Sequence, residues 1–460
     1  MKLEHIHSVY FIGIGGIGMS ALARWFHANG YTVTGYDKTS TALTEKLIEE
    51  GIAIHFEDNV NLIPEKVKNE KAGALIIYTP AVPKDLSEYQ YFIENGYELY
   101  KRSQVLGMLT ESKFTIAVAG THGKTTTSSM IAHLLKSAGV DCSAFVGGIM
   151  TNYDSNLLIG TNNEVMVVEA DEFDRSFLTL HPDVAIITAT DADHLDIYGS
   201  KQSLKDSFND FIKNIKANGK LFIEEKVAHE LELNPNGNIG VETYGLNGGD
   251  ITVDHLKVAE AKFNFTYKSE ERSIQGFELA LPGYHNVSNA IAALASVSQT
   301  IDNNDALVNG LNSYRGVKRR FEYIINTTDL IFIDDYAHHP EEIKALLESV
   351  KALYPNKKIT AVFQPHLFTR TRDFVDGFAD SLSMADEVIL LDIYPARELP
   401  IEGVSSDLIK EKMTLKNVKR YVKDDVLGHF EENTPEVILT IGAGNIDTLV
   451  SPIKHLLENK

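Results

Sequence analysis

The chain has 460 residues, 43% hydrophobic and 23% charged, a soluble globular composition with room for about two to four domains. Its net charge of −21 argues against nucleic acid or an anionic membrane as the main partner, because both need a basic face. The single cysteine, Cys142, makes neither an internal disulfide nor a thiolate metal site and reads as a small buried residue.

Lys2 and the apolar run after it invite comparison with a signal peptide. Gly13, Gly15, Gly16 and Gly18 interrupt that run, Arg24 follows on a helical pattern, and no cleavage site stands out. No other stretch approaches the roughly 20 apolar residues of a membrane span. A cytoplasmic protein without membrane insertion is expected.

Residues 8–14 read as a buried strand, followed by a glycine turn, a helix over 18–29, and strands at 31–36 and 74–79. This βαβ rhythm predicts a parallel sheet. It restarts at 114–119, continues through GTHGKTTTS into a helix ending near 138, and adds strands at 165–170 and 184–189. Alternating Phe263, Phe265 and Tyr267 predict an antiparallel insertion within 251–281. A third section has strands at 329–334, 359–363, 387–392 and 436–441, with Pro340, Glu341 and Glu342 suited to a helix start. The expected fold class is α/β, with edges near 107 and 316: residues 1–107, 108–315 and 316–460.

Three constellations carry chemistry. Gly13-x-Gly15-x-x-Gly18, between strand and helix and with Asp37 after the second strand, suits a diphosphate at a helix N-terminus. Gly120-Thr121-His122-Gly123-Lys124-Thr125 keeps the chemically essential end of a P-loop, although Val118 stands where its first glycine belongs. Lys124 is expected to be a solvent-facing loop lysine that reaches the β- and γ-phosphates of a nucleoside triphosphate, with the Thr125 hydroxyl on Mg²⁺. The acids Glu169, Asp171, Glu172 and Asp174 leave one strand, and Asp191, Asp193 and His194 leave the next. Beside ATP such acids call for metal ions.

These residues together resemble the Mur ligases. The likeness runs over essentially the whole chain and includes GTHGKTTT, VEADEFDRSFLTLHPDVAIITATDADHLD, LPGYHNVSNAIAA and VKRRFE. GIGGIGMSALA, DDYAHHPEEI and FQPHLFTRTRDF are similar to the alanine-adding branch. The resemblance implies three domains: an N-terminal Rossmann-like UDP-sugar domain, a central P-loop ATPase with a mixed insertion, and a C-terminal Rossmann-like domain that takes the amino acid. It implies an ATP-dependent ligase of peptidoglycan precursor synthesis, with UDP-N-acetylmuramic acid and L-alanine as partners and two Mg²⁺ ions.

Residue by residue, the resemblance puts ATP phosphates on Lys124 and its loop through Thr126, one Mg²⁺ on Thr125 and Glu169, and a second on His194. Asn286 and Asn289, with His285 nearby, fall on the adenine side, and Arg320 reaches the nucleotide. Gly13, Gly15, Gly16, Gly18 and Asp37 take the UDP-sugar. Tyr336, His338, His366 and Arg370 read the amino acid, whose carboxylate suits the planar guanidinium fork. Where Leu367 stands the family often has arginine, and the helix around Asn209 lacks the lysine that several sister enzymes carry carbamylated.

On the residues alone, His338 and His339 also suit a helix cap, Arg370 and Arg372 a solvated basic turn, and His285 a structural role. His338 or His366 is the candidate base for the incoming amine. Rival readings are a recycling ligase that attaches a preformed tripeptide to the same sugar, a nicotinamide oxidoreductase, and an idle UDP-sugar binder.

Overall fold

The computed structural model describes residues 5–161, 165–191, 195–233, 237–259, 262–396 and 398–460. Its first sheet contains β1 (Ser8–Ile12), β2 (Thr32–Tyr36), β3 (Ala53–His55), β4 (Ala74–Tyr78) and β5 (Leu99–Lys101), in the order β3-β2-β1-β4-β5. Every pairing is parallel, so Phe11 lies between Gly35 and Ile77. All five residues of β1 are buried, as a central strand covered on both faces requires. The strand ends at Ile12, short of the expected residue 14, because Gly13 turns the chain at φ 85°. The order reverses between β1 and β4, which opens a crevice where the glycine turn emerges.

The second sheet has the order β12-β11-β10-β6-β9-β7-β8. Its strands are β6 (Phe114–Ala119), β7 (Cys142–Met150), β8 (Ser155–Leu158), β9 (Val165–Ala170), β10 (Val184–Ile187), β11 (Lys220–Glu224) and β12 (Gly240–Tyr244). Only β8 runs antiparallel to its neighbour. β6, buried from Thr115 to Ala119, lies between β10 and β9, so the phosphate-type loop leaves the middle of the sheet.

The predicted insertion is a three-stranded sheet, β13 (Thr252–Ala259), β14 (Lys262–Lys268) and β15 (Ser273–Leu279). Met1–Leu256, Phe265–Glu278 and Ser288–Tyr314 form one compact unit that holds both of the larger sheets above.

A second unit, Lys257–Asn264, Leu279–Val287 and Arg315–Lys460, carries the last sheet. The order is β16-β17-β21-β18-β19-β20, from β16 (Glu322–Asn326), β17 (Ile331–Asp335), β18 (Ile359–Phe363), β19 (Glu387–Leu390), β20 (Val418–Arg420) and β21 (Val437–Ile441). The edge strand β16, absent from the sequence expectation, is antiparallel; the others are parallel. Among the described residues no helix is long and apolar enough to cross a membrane.

One polar cluster lies beneath the first sheet. The Glu88 side chain is fully buried, accepts the Tyr10 hydroxyl at 2.6 Å and the Asn59 N–H at 3.3 Å, and lies 3.4 Å from His55 Nε2. Burial pushes the Glu88 carboxyl from 4.5 up to about 7, while the Tyr10 and Asn59 hydrogen bonds oppose the shift. A raised carboxyl favours the folded state while it stays protonated, and that contribution disappears as pH rises through the folded value. The unfolding free energy of Glu88→Gln relative to wild type should therefore improve as pH climbs from 4.5 to about 7, then level off. Paired denaturant titrations across pH check this; a flat difference would mean that Glu88 does not titrate in that window.

Candidate functional site

Three loops bring the expected residues together, each at the carboxyl edge of a sheet. In the first, Gly13 N–H donates to Tyr36 O at 2.8 Å, folding the turn back on β2. Asp37 braces this turn. Its Oδ2 accepts Gly15 N–H at 2.6 Å and its Oδ1 accepts Thr39 N–H at 3.3 Å. A Cβ at Gly15 would come within 2.9 Å of Asp37 Oδ2, so the residue must be glycine for the carboxylate to reach its amide. Gly16 caps the helix Ile17–Ala28, leaving first-turn amides to face an anion. The Arg102 guanidinium packs against Gly18. Sequence reading missed Arg102 because no spacing rule connects it to the glycine turn.

The second loop follows β6. Gly120 at φ 136° and Gly123 at φ 80° give it shapes that side chains resist. A Cβ at Gly120 would strike Thr188 and Ala189, and one at Gly123 would come within 2.6 Å of Asn289 Oδ1. The loop is fastened to the neighbouring strand end by Thr121 N–H to Ala189 O at 3.0 Å and Asp191 N–H to Thr121 Oγ1 at 3.0 Å. His122 Nε2 lies 3.8 Å from Asp191, while Thr126 sits in the first turn of the helix Lys124–Ser137.

Lys124 is not the solvent-facing lysine that the sequence suggests. Its Nζ donates to Gly120 O at 2.7 Å and reaches Glu172 Oε1 at 2.9 Å and Oε2 at 2.7 Å. The lysine side chain is 13% exposed and that of Glu172 is 0%. Burial works against the ammonium, yet Glu172, Asp171 and Glu169 hold its pKa above the ordinary lysine value.

Beside it, the Thr125 hydroxyl donates to Glu169 Oε1 at 2.9 Å, and Gly147 N–H donates to Oε2 at 2.7 Å. A hydroxyl and a carboxylate are the hard oxygen donors that Mg²⁺ takes, so this pair fits one ion. His194, with Asp193, lies outside the described residues, as does the side chain of Asp174. Asn289 is buried against the loop. In the other unit, Asn286 is buried with its Nδ2 on Pro282 O at 2.6 Å, and His285 is exposed.

The third cluster lies at the ends of β17 and β18. The Tyr336 ring has Arg319 and Arg320 each 5.1 Å from its centroid. The two arginines diverge in use. Arg319 ties down loops through the Gly442 and Gly444 carbonyls, Asp334 and Asp447, whereas Arg320 lies close enough to Asp335 to favour its ionised form.

His338 Nδ1 lies 3.0 Å from Tyr336 O, and its ring centroid is 6.2 Å from that of His366. His339 is the helix cap, forming a capping box with Glu342 at the start of Pro340–Leu353. The other face of His366 stacks on Tyr394 at 5.8 Å. Leu367 takes φ 71°, held by its N–H on Tyr394 O at 3.0 Å.

Burial above all lowers the pKa of His338, with Arg370 and Arg320 adding to the effect. Burial, His338 and Arg370 push His366 down to about 4. Among the described residues Arg370 enters no ion pair, whereas exposed Arg372 is tied to Asp373 at 2.7 Å.

Comparison with known proteins agrees with the resemblance along the whole chain. The patterns named Mur ligase family, catalytic domain, Mur ligase middle domain and Mur ligase, glutamate ligase domain match residues 8–114, 118–297 and 319–444. A UDP-N-acetylmuramate–L-alanine ligase of Flavobacterium johnsoniae is 49% identical over 458 residues, covering 100% of this chain and 99% of the relative. That of Flavobacterium psychrophilum is 50% identical, covering 100% of both. The crystal structure of a UDP-N-acetylmuramate-alanine ligase from Thermotoga maritima is similar at a TM-score of 0.80 and 29% identity, over 98% of this chain and 99% of that one. A murein peptide ligase from Psychrobacter arcticus shares the fold at a TM-score of 0.68 and 23% identity, over 99% of each chain.

The buried pair makes a stability prediction. Lys124→Ala leaves a carboxylate without its counter-charge and should lower unfolding free energy by about 3 kcal/mol. Lys124→Ala with Glu172→Gln should recover much of that loss. Chemical denaturation of the three proteins checks it; equal stability of single and double variants would sink the pairing.

Proposed function

This chain belongs to the Mur ligase family, and on that premise we propose that it joins L-alanine to UDP-N-acetylmuramic acid with ATP, in the cytoplasm, in peptidoglycan precursor synthesis. The observation that carries the choice of alanine is the full-length likeness, at 49% identity, to a relative named for that reaction. Residues 1–107 take the UDP-sugar, 108–315 the ATP and 316–460 the amino acid.

A carboxylate does not acylate an amine at neutral pH. Transfer of the ATP γ-phosphoryl group to an oxygen of the lactyl carboxylate gives an acyl phosphate and ADP. The deprotonated alanine amine then attacks the acyl carbon, the C–O bond to phosphate breaks, and the amide and inorganic phosphate result.

Lys124 and the loop from Gly120 through Thr126 bind the triphosphate at the N-terminus of the helix Lys124–Ser137. Thr125 and Glu169 hold Mg²⁺, and His194 belongs with a second ion; these ions offset phosphate charge when bound. His285, Asn286 and Asn289 face adenine, and Arg320 the nucleotide. Gly13, Gly15, Gly16, Gly18 and Asp37, with Arg102 beside them, take the UDP-sugar diphosphate. Tyr336 and His366 border the alanine, and Arg370 grips its carboxylate, a role supported by its having no ion pair among the described residues.

His338 is the better candidate base. Burial holds both rings below the ordinary histidine pKa, so both are neutral at working pH, and the choice rests on the hydrogen bond that orients His338. With Nδ1–H directed at Tyr336 O, the His338 Nε2 lone pair takes the proton.

The deciding experiment is ADP release with UDP-N-acetylmuramic acid, scanned over free amino acids and a preformed tripeptide. Alanine is expected to be preferred; preference for the tripeptide would favour the recycling reaction. Arg370→Lys keeps the charge but loses the fork, and should raise the alanine KM about a hundredfold with ATP and UDP-sugar KM little changed. A rise confined to ATP would make Arg370 a phosphate contact. Glu169→Ala should shift the Mg²⁺ activation curve to higher concentration more than it changes UDP-sugar affinity; an unchanged curve rules out metal ligation.

A further inference from the structure

Lys124 is assigned to phosphate, and its buried partner is a carboxylate, Glu172. An ammonium has three N–H donors. Here two of them are hydrogen-bonded, to Gly120 O at 2.7 Å and Glu172 Oε1 at 2.9 Å, and Glu172 Oε2 adds an ion-pair contact at 2.7 Å. A phosphate that draws this nitrogen toward itself must therefore compete with the buried Glu172 charge.

Glu172 is poorly placed to follow a moving lysine. Its own carbonyl accepts the Arg175 N–H at 2.9 Å and the Tyr198 hydroxyl at 2.6 Å. Phe177 N–H closes on Asp171 O at 3.0 Å, so the turn is fastened on both sides of the carboxylate. The acid is thus a fixed anion with a fully buried side chain, facing a lysine on a flexible stem.

We propose that Glu172 is a positioning residue, an internal anion that holds Lys124 between turnovers, yields it to the phosphates of an incoming nucleoside triphosphate, and reclaims it as the nucleoside diphosphate leaves. The inference rests on the nucleotide reading of this loop. A triphosphate outcompetes a carboxylate because it brings more charge and also engages the loop amides. After phosphoryl transfer the diphosphate has less charge with which to keep the lysine, and Glu172 speeds its departure by offering the ammonium an alternative partner.

The test uses the full chain and calorimetric titration of ADP with Mg²⁺, beside steady-state turnover. Glu172→Gln removes the competing charge at nearly constant shape. It should bind ADP about tenfold more tightly, with kcat and the ATP KM falling together because release is slowed. A purely structural role for Glu172 would weaken nucleotide binding instead. Glu172→Asp keeps the charge on a shorter stem and should tighten ADP by a smaller factor, which provides a second measurement should the glutamine variant not fold. Unchanged or weaker ADP binding in a folded variant overturns the inference. A wild-type chain that binds no ADP overturns the nucleotide reading itself.

Discussion

Parallel strands all leave a sheet at the same edge, and in this chain that edge repeatedly ends in an acid. Asp37 follows β2, Glu172 lies just beyond β9, and Asp334 and Asp335 close β17. Asp37 and Asp335 organise loops by accepting their N–H groups, Glu172 accepts a hydrogen bond from Lys124, and Asp334 accepts one from the Thr440 hydroxyl. Asp37 binds Gly15 N–H, and Asp335 binds both Phe321 and Ala337 N–H. The three clusters depend on this placement, because loops that carry chemistry need internal anchors that do not occupy the outer face.

The same carboxylates govern the cations. In a chain of net charge −21, with 64 acids to 43 lysines and arginines, a cation meant for phosphate or carboxylate must be held against competing acids. Acids fix three cations: buried Glu172 holds Lys124, buried Asp334 helps hold Arg319, and exposed Glu50 binds buried Arg24 at 2.6 Å. Such pairs orient a charge more than they stabilise a fold, since desolvation offsets much of the attraction. Arg370 differs in that its orientation owes nothing to an ion pair among the described residues.

Much of this was legible in the sequence where a rule links neighbours along the chain. The glycine turn, the Gly120–Thr125 loop and the strands at 114–119, 165–170 and 359–363 follow from spacing and apolar runs. What escaped were relations made by tertiary packing. Glu172 was visible as one acid among several, but its pairing with Lys124 depends on the turn after β9 meeting the helix start after β6. Arg102 reaches Gly18 only because β5 delivers it to the same sheet edge. The Tyr394 stack on His366 depends on two loops zipping together, a contact that neither segment reveals alone.

Leu367 has a consequence for how this enzyme changes over evolution. Its backbone is held in the left-handed region by the bond to Tyr394 O and by the adjoining bridge between His366 and Tyr394. A side chain pays for such a sparsely populated backbone conformation, on the order of 1–3 kcal/mol, whether it is leucine or arginine. The fold has already absorbed that cost, so leucine and arginine can exchange at this site without remodelling the loop. Position 367 is therefore a neutral corridor: its side chain can drift between apolar and cationic among descendants while the histidine and arginine on either side keep their places.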